Sequence, residues 1–279
     1  MLYHYTDLNA VKSIIEGRSI RLTNINYLND KSEFNIGLSY LITAFRKHYV
    51  FPEGVPEKCI RSIRENFTTN FGDNSKPHPL MQHLFVASFS LAQDVLSQYR
   101  GYGIYTLEIS NSIGMFFPEN DTITLLRCIY THTEEQGRKH AIKVINDITK
   151  VVIDSWHDEY DNSHLIANMI EKIAMYALTF KHPAFSEEKE ARIIYNNSNG
   201  KAKTEFRVKN DILVPYITHK IKVEVITNVI VGPMENQALA AESLTMFAEK
   251  IKREYRLNRY SSDYWDLKVT KSDIPFRAN

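Results

Sequence analysis

Three pairs of polar residues, each two positions apart, are where side chains of this chain could do chemistry. His4 and Thr6 belong to the opening stretch LYHYT, Ser88 and Ser90 end the apolar run LFVASFS, and Glu188 and Glu190 lead into ARIIY. Alternate side chains of a strand share a face. If each segment is extended, each pair therefore presents two polar groups to one side. His4 and Thr6 then point one way, and Tyr3 and Tyr5 the other. Polar groups at the ends of apolar strands need partners when buried. The three pairs can satisfy one another, or they can face a shared cleft and supply imidazole, hydroxyls and carboxylates to a ligand. The plainer readings are a satisfied structural histidine, turn serines and a solvated charge patch in which Glu188 and Glu190 sit beside Lys189 and Arg192.

The elements that must position these residues follow from periodicity. DLNAVKSIIEG reads as a short helix capped by Asp7, with Leu8, Val11, Ile14 and Ile15 as its apolar stripe and Gly17 at the C′ position. A strand is expected over 20–25, with Arg21 on it. Turn chemistry at 26–33, including Tyr27, leads into a helix with Ser32 as cap and Phe34, Leu38, Leu41, Ile42 and Phe45 as its buried face. Residues 56–71 read as a helix, 72–79 as a loop, 84–90 as a strand and 94–100 as a polar connection. Strands follow at 103–110 and 122–130, and a helical block runs from about 133 to 181, broken near Asp161–Ser163. ARIIY, TEFRV, ILVPYI and VEVITNVIVG read as strands, Glu235 to Arg253 as an amphipathic helix, and WDLKV as a last strand. This mixed order, without regular βαβ alternation, predicts an α+β fold with a largely antiparallel sheet and flanking helices, the sheet open to division into two small sheets around a cleft. One domain over 1–279 with a helical insertion at 133–181 is expected, because no Pro/Gly/Ser-rich linker or internal repeat divides the chain.

Composition narrows the function classes. The 34 Lys and Arg nearly balance 33 Asp and Glu, for a net charge of +1, which argues against a general nucleic-acid coat. A local basic and aromatic patch is left at KREYRLNRY (252–260). The two cysteines, Cys59 and Cys128, form no CxxC or zinc pattern. With no signal peptide and no apolar run near membrane-spanning length, a cytoplasmic address and no membrane partner are expected. The 16 Tyr and 14 Phe are either core or stacking surfaces for a planar ligand. No GxGxxG, P-loop or GxSxG occurs, and His78 and His83 lack a third zinc ligand. A metal-dependent nucleic-acid-processing enzyme can be assembled from Glu33, Asp94, Glu190 and Lys181, and a non-enzymatic nucleotide- or peptide-binding sensor is the remaining alternative.

LYHYT followed by a helix and NYLNDKSEF resembles the opening of a bacterial family, domain of unknown function 2971. The resemblance continues through FVASFS, DVLSQYRGYG, FKHPAFSEEKEARIIY, ITNVIVGP and KSDIPFR, with Tyr99 where the family often has Trp. It implies, loosely, an effector in conflict with phage or competing bacteria. A histidine on the first strand, a central S-x-S and a late E-x-E are also similar in layout to the ADP-ribosyltransferases, which bind NAD between two small sheets. That similarity implies NAD as substrate, with ADP-ribosyl transfer to an unknown protein or nucleic-acid acceptor, or hydrolysis if water accepts. Cleavage of the nicotinamide–ribose bond develops oxocarbenium-like charge, which a carboxylate stabilises. The implied roles are Glu190 as that carboxylate, with Glu188 as helper or base. His4, with Thr6, would hold a ribose hydroxyl. Ser88 and Ser90 would brace the carboxylate or the cofactor, Tyr99 or Tyr27 would stack on nicotinamide, and Arg21 would pair with the pyrophosphate. Tyr5, facing away from His4, would pack in the core.

Overall fold

The computed structural model describes residues 1–28, 32–72, 79–110, 123–257 and 265–276. His78 and parts of the 72–79, 252–260 and KSDIPFR stretches lie outside them, as does the Ser32 side chain.

The chain starts as a strand, β1 (Leu2–Thr6), and turns at once into helix α1 (Leu8–Gly17). Asp7 caps that helix by accepting the Ala10 N–H at 2.8 Å. Val11, Ile14 and Ile15 are buried as expected, whereas Leu8 is exposed. The helix runs through Gly17, and the left-handed residue is Arg18 at φ 48°. β2 (Ser19–Asn24) and helices α2 (Ser32–His48) and α3 (Glu57–Phe71) follow. β3 (Leu84–Ser90) has the bounds read from LFVASFS. The polar connection expected at 94–100 is largely a helix, α4 (Leu96–Tyr102). β4 (Tyr105–Ile109), β5 (Ile123–Arg127) and the two-residue β6 (Ile129–Tyr130) precede two long helices, α5 (Glu134–Asp154) and α6 (Ser163–Ala177). The remainder comprises β7 (Phe180–Lys181), β8 (Glu190–Asn196), the β9 (Thr204–Lys209) and β10 (Ile212–Lys220) hairpin, β11 (Ile226–Val231), α7 (Gln237–Leu257) and β12 (Lys268–Lys271).

The architecture is α+β. One mixed, mostly antiparallel sheet runs β12-β11-β4-β1-β3-β2-β10-β9, with β8 along the other edge of β3 and β5 beyond it; β6 and β7 form a separate parallel pair. The sheet branches at β3. β8 pairs with all seven β3 residues on one edge. On the opposite edge β1 meets β3 only at Tyr3–Ser90, and β2 only at Thr23–Val86 and Asn24–Phe85. Residues 87–89 therefore lie between two diverging strands.

Apolar residues fill both faces. One core joins α1 and α7 to Leu22, Phe89, Leu107, Ala191 and Ile193. The other packs α2, α3, α5 and α6 onto Leu84, Val86 and Ile194. The block read as a helical insertion thus supplies a layer of core. Gly37 permits the close crossing of α2 on α6, since a Cβ there would stand 2.1 Å from the Ala177 carbonyl oxygen.

Candidate functional site

Strand register decides which polar pairs meet. Residues paired across antiparallel strands share a face, and Tyr3 pairs with Ser90, which pairs with Glu190. Tyr3, Tyr5, Ser88, Ser90, Glu190 and Arg192 therefore belong to one face of the sheet. His4 and Thr6 belong to the other, with Phe89 and Ala191. This corrects the expectation that His4 faces a common hollow with Ser90 and Glu190. His4 has a different job at the branch. Its Nδ1 lies 3.0 Å from the Ser88 carbonyl oxygen, and its ring is 5.3 Å from Phe89. Burial holds the imidazole below its ordinary pKa, against the opposing pull of the Ser88 carbonyl. A neutral ring with Nδ1 protonated donates there in place of a missing ladder hydrogen bond. Thr6 is buried at the end of β1, paired with Tyr105.

On the opposite face five charged side chains converge. Arg192 on β8 donates through Nε to Glu190 Oε1 at 2.8 Å, and through one terminal nitrogen to Glu190 Oε2 at 3.0 Å and Glu33 Oε2 at 2.6 Å. Its other terminal nitrogen reaches the Leu178 carbonyl at 2.5 Å. Lys181 on β7 donates to Glu190 Oε2 at 2.5 Å and to Glu188, and stands 4.0 Å from Glu33. The Glu190 backbone is fixed as well: its N–H donates to the Tyr130 hydroxyl at 2.7 Å, and its carbonyl accepts from Cys128 N–H at 2.8 Å. Glu33 arrives from the first turn of α2, where a carboxylate suits the helix N-terminus.

Three carboxylates face two cations, leaving one negative charge in excess within largely buried surroundings. Glu190 and Glu33 are shifted in opposite directions. Burial alone would raise Glu190, but Arg192 and Lys181 outweigh it and hold its pKa at about 2. Glu33 has one close cation contact and a distant lysine, so burial wins and its pKa rises. Burial opposes the charge on Lys181 and on Arg192; the surrounding carboxylates outweigh it, and both pKa values rise. The Cys128 thiol is pushed up by burial and by Glu190, so it is no nucleophile. Glu188 ends the 3-10 turn Pro183–Glu188 and has the most open of the three carboxylates, 14% exposed against 7% for Glu190. One of its oxygens faces Lys181; among the described residues the other has only the Tyr102 hydroxyl, at 3.5 Å. Glu188 is thus less fully bonded than Glu190.

Ser90 braces this arrangement. Ser90 Oγ donates to the Glu188 carbonyl at 2.7 Å and accepts Ala92 N–H at 3.0 Å. Ser88 is half-buried, level with Arg192. Tyr99 does not offer a stacking surface. It is 3% exposed, its ring meets Tyr5 edge-on at 5.0 Å, and its hydroxyl donates to Asp94 at 3.0 Å. Tyr5 packs in that aromatic cluster as expected. Tyr27 is 41% exposed in the turn after β2. Arg21 lies on β2 over the Tyr216 ring, 4.9 Å from its centroid. A hollow of about 790 Å³ between α3 and the α5–α6 connection contains none of these residues.

Of the set assembled for a metal, Glu33, Glu190 and Lys181 meet, and Asp94 lies apart with Tyr99. Among the described residues no three His, Cys, Asp or Glu are grouped to hold a metal ion. Sequence reasoning placed Lys181 and Glu33 only in that set and missed Arg192 as the hub; the signal was a charged side chain in the middle of the apolar run ARIIY. No family model, curated protein or solved structure matches the chain.

Proposed function

We propose that the chain cleaves the nicotinamide–ribose bond of NAD and passes the ADP-ribosyl group to an acceptor or to water, as a member of the bacterial family its motifs resemble. The observation that carries this reading is the convergence of Glu33, Glu188 and Glu190 with one negative charge in excess, at the point where the sheet splits. An oxocarbenium-like ribose needs a fixed negative field in surroundings of low dielectric. Glu188 is the carboxylate that faces the sugar. Glu190, ionised and fully bonded, sets the positions of Lys181 and Arg192 and through them of Glu188. Ser90 fixes the Glu188 backbone. His4 acts through the strand by its contact with the Ser88 carbonyl. Two free cysteines suit a reducing cytoplasm, where NAD is at hand. Among the described residues no helix is long and apolar enough to cross a membrane.

The alternative open from the sequence, metal-dependent processing of nucleic acid, has Glu33, Glu190 and Lys181 together but, among the described residues, no group of three His, Cys, Asp or Glu to hold the metal. One experiment separates the two. The purified chain is incubated with NAD in the presence of EDTA, and released nicotinamide is measured. Turnover that survives chelation supports the first reading; turnover of a nucleic acid only with a divalent metal supports the second.

A further inference from the structure

We propose that two copies of this chain join edge to edge through β9, in antiparallel register centred on Phe206. This pairing does not depend on the charged cluster. β9 is the terminal strand of the sheet path, and among the described residues no strand lies beyond it. Solvent-facing edge strands are ordinarily protected by charged side chains, proline, a bulge, inward charge or extreme shortness. β9 carries six residues, TEFRVK, with no proline and an unbroken register against β10. Its three charges, Glu205, Arg207 and Lys209, share one face; the other face is apolar at the surface, with Phe206 61% exposed, Val208 73%, and their neighbour Leu213 on β10 61%.

The hairpin geometry fixes which backbone groups are free. Asn210 and Asp211 both have positive φ, 49° and 60°, which makes a two-residue type I′ turn closed by Lys209 and Ile212. That closing pair exchanges both of its hydrogen bonds, and bonded pairs alternate from there. Lys209, Arg207 and Glu205 thus bond inward to β10. Val208, Phe206 and Thr204 point their N–H and C=O groups outward. Pro215, which has no N–H, sits opposite Phe206 in a non-bonded pair, where none is needed.

A second β9 can satisfy those outward groups in few ways. Registers that oppose an outward residue to an inward one make no ladder. A centre on Arg207 sets Arg207 against its own copy, and a centre on Glu205 does the same with two carboxylates. A centre on Val208 brings Arg207 against Lys209. Like charges directly opposite are destabilising. A centre on Phe206 pairs Phe206 with itself, Thr204 with Val208, and Glu205 with Arg207 twice; the like-charge contact it leaves, Lys209 against Lys203, falls at the frayed end, where Lys203 lies outside the strand. Glu205 and Arg207 then meet in non-bonded pairs, where side chains approach closest. Arg207 lacks a carboxylate within ion-pair distance among the described residues. Its Nε is buried with no hydrogen-bond partner, while one terminal nitrogen reaches Thr23 Oγ1 at 3.3 Å. The partner's Glu205 supplies the carboxylate that the Arg207 guanidinium lacks. On the other face Phe206, Val208 and Leu213 of both copies form one apolar strip.

The test is mass in solution at micromolar concentration by light scattering, on the full chain. The wild-type chain is expected near twice 32.4 kDa. Glu205→Arg and Arg207→Glu should each yield monomer by opposing like charges, and the double exchange Glu205→Arg/Arg207→Glu should restore the dimer. Phe206→Cys should form an intersubunit disulfide on mild oxidation, because it meets its own copy on the axis. A monomeric wild-type chain overturns the proposal. So does a dimer indifferent to both single changes, which would lie on another surface. Circular dichroism confirms that each variant is folded.

Discussion

At the residue scale the charged cluster is held together by Arg192, whose three nitrogens bind Glu190, Glu33 and the Leu178 carbonyl. Removing one partner from such a buried network costs about 3–5 kcal/mol, because the others lose compensation. The two extreme glutamates also leave opposite marks on the pH dependence of stability. Glu190 has its folded pKa lowered to about 2. Its contribution is present above the unfolded glutamate value and is lost as pH falls through the folded value. Glu33 has a raised folded pKa, so its term works the other way and favours folding as pH falls. Glu190→Gln should therefore destabilise the chain at neutral pH and flatten its loss of stability between about pH 5 and pH 2, measured by denaturant unfolding across that range. Parallel curves for the two proteins would deny Glu190 its ion pairs. The cluster was only partly legible. E-x-E and the Glu33–Lys181 pairing could be picked out by residue type, but a charged residue inside ARIIY gave no sign of which side chains would come to meet it.

At the element scale the decisive fact is register, which a single sequence does not carry. Side chains alternate, so sliding one strand by one residue exchanges the faces of all its side chains. Nothing in LYHYT says that Tyr3, not His4, pairs with Ser90. Strand existence was far more legible: LFVASFS and ARIIY announce themselves by apolar β-branched and aromatic content. The 94–100 segment was read as a polar connection because α4 is short and its burial comes from Gln98 and Tyr99 alone. α4 is tied to β1 at Gly103, where φ is 130° and a Cβ would stand 2.4 Å from the Thr6 carbonyl. Gly103→Ala should cost about 1–3 kcal/mol in backbone strain alone, and more from the clash. Equilibrium denaturation measures this, and an unchanged midpoint would contradict the close approach.

At the scale of the whole molecule, α+β class followed from the mixed order of elements, because long helices and short antiparallel strands without βαβ alternation leave few layer arrangements. The branch at β3 did not follow, since it depends on where β1 and β2 leave one shared edge. The β3–β8 ladder, on the edge opposite the branch, sets Ser88 and Ser90 level with Arg192 and Glu190, next to Glu188 at the end of the 3-10 turn, and the proposed chemistry takes its place there. The account stands on Glu188 as the carboxylate facing the ribose, with Glu190 holding the frame. Its most direct measurement is the rate of nicotinamide release from NAD by the wild-type chain and by Glu188→Gln, with thermal unfolding confirming that both are folded. The account predicts release by the wild type and a fall of about 100-fold or more in the variant, the scale of a lost transition-state contact. A wild-type chain that leaves NAD intact with every acceptor offered, or a variant that turns over at the wild-type rate, would contradict it.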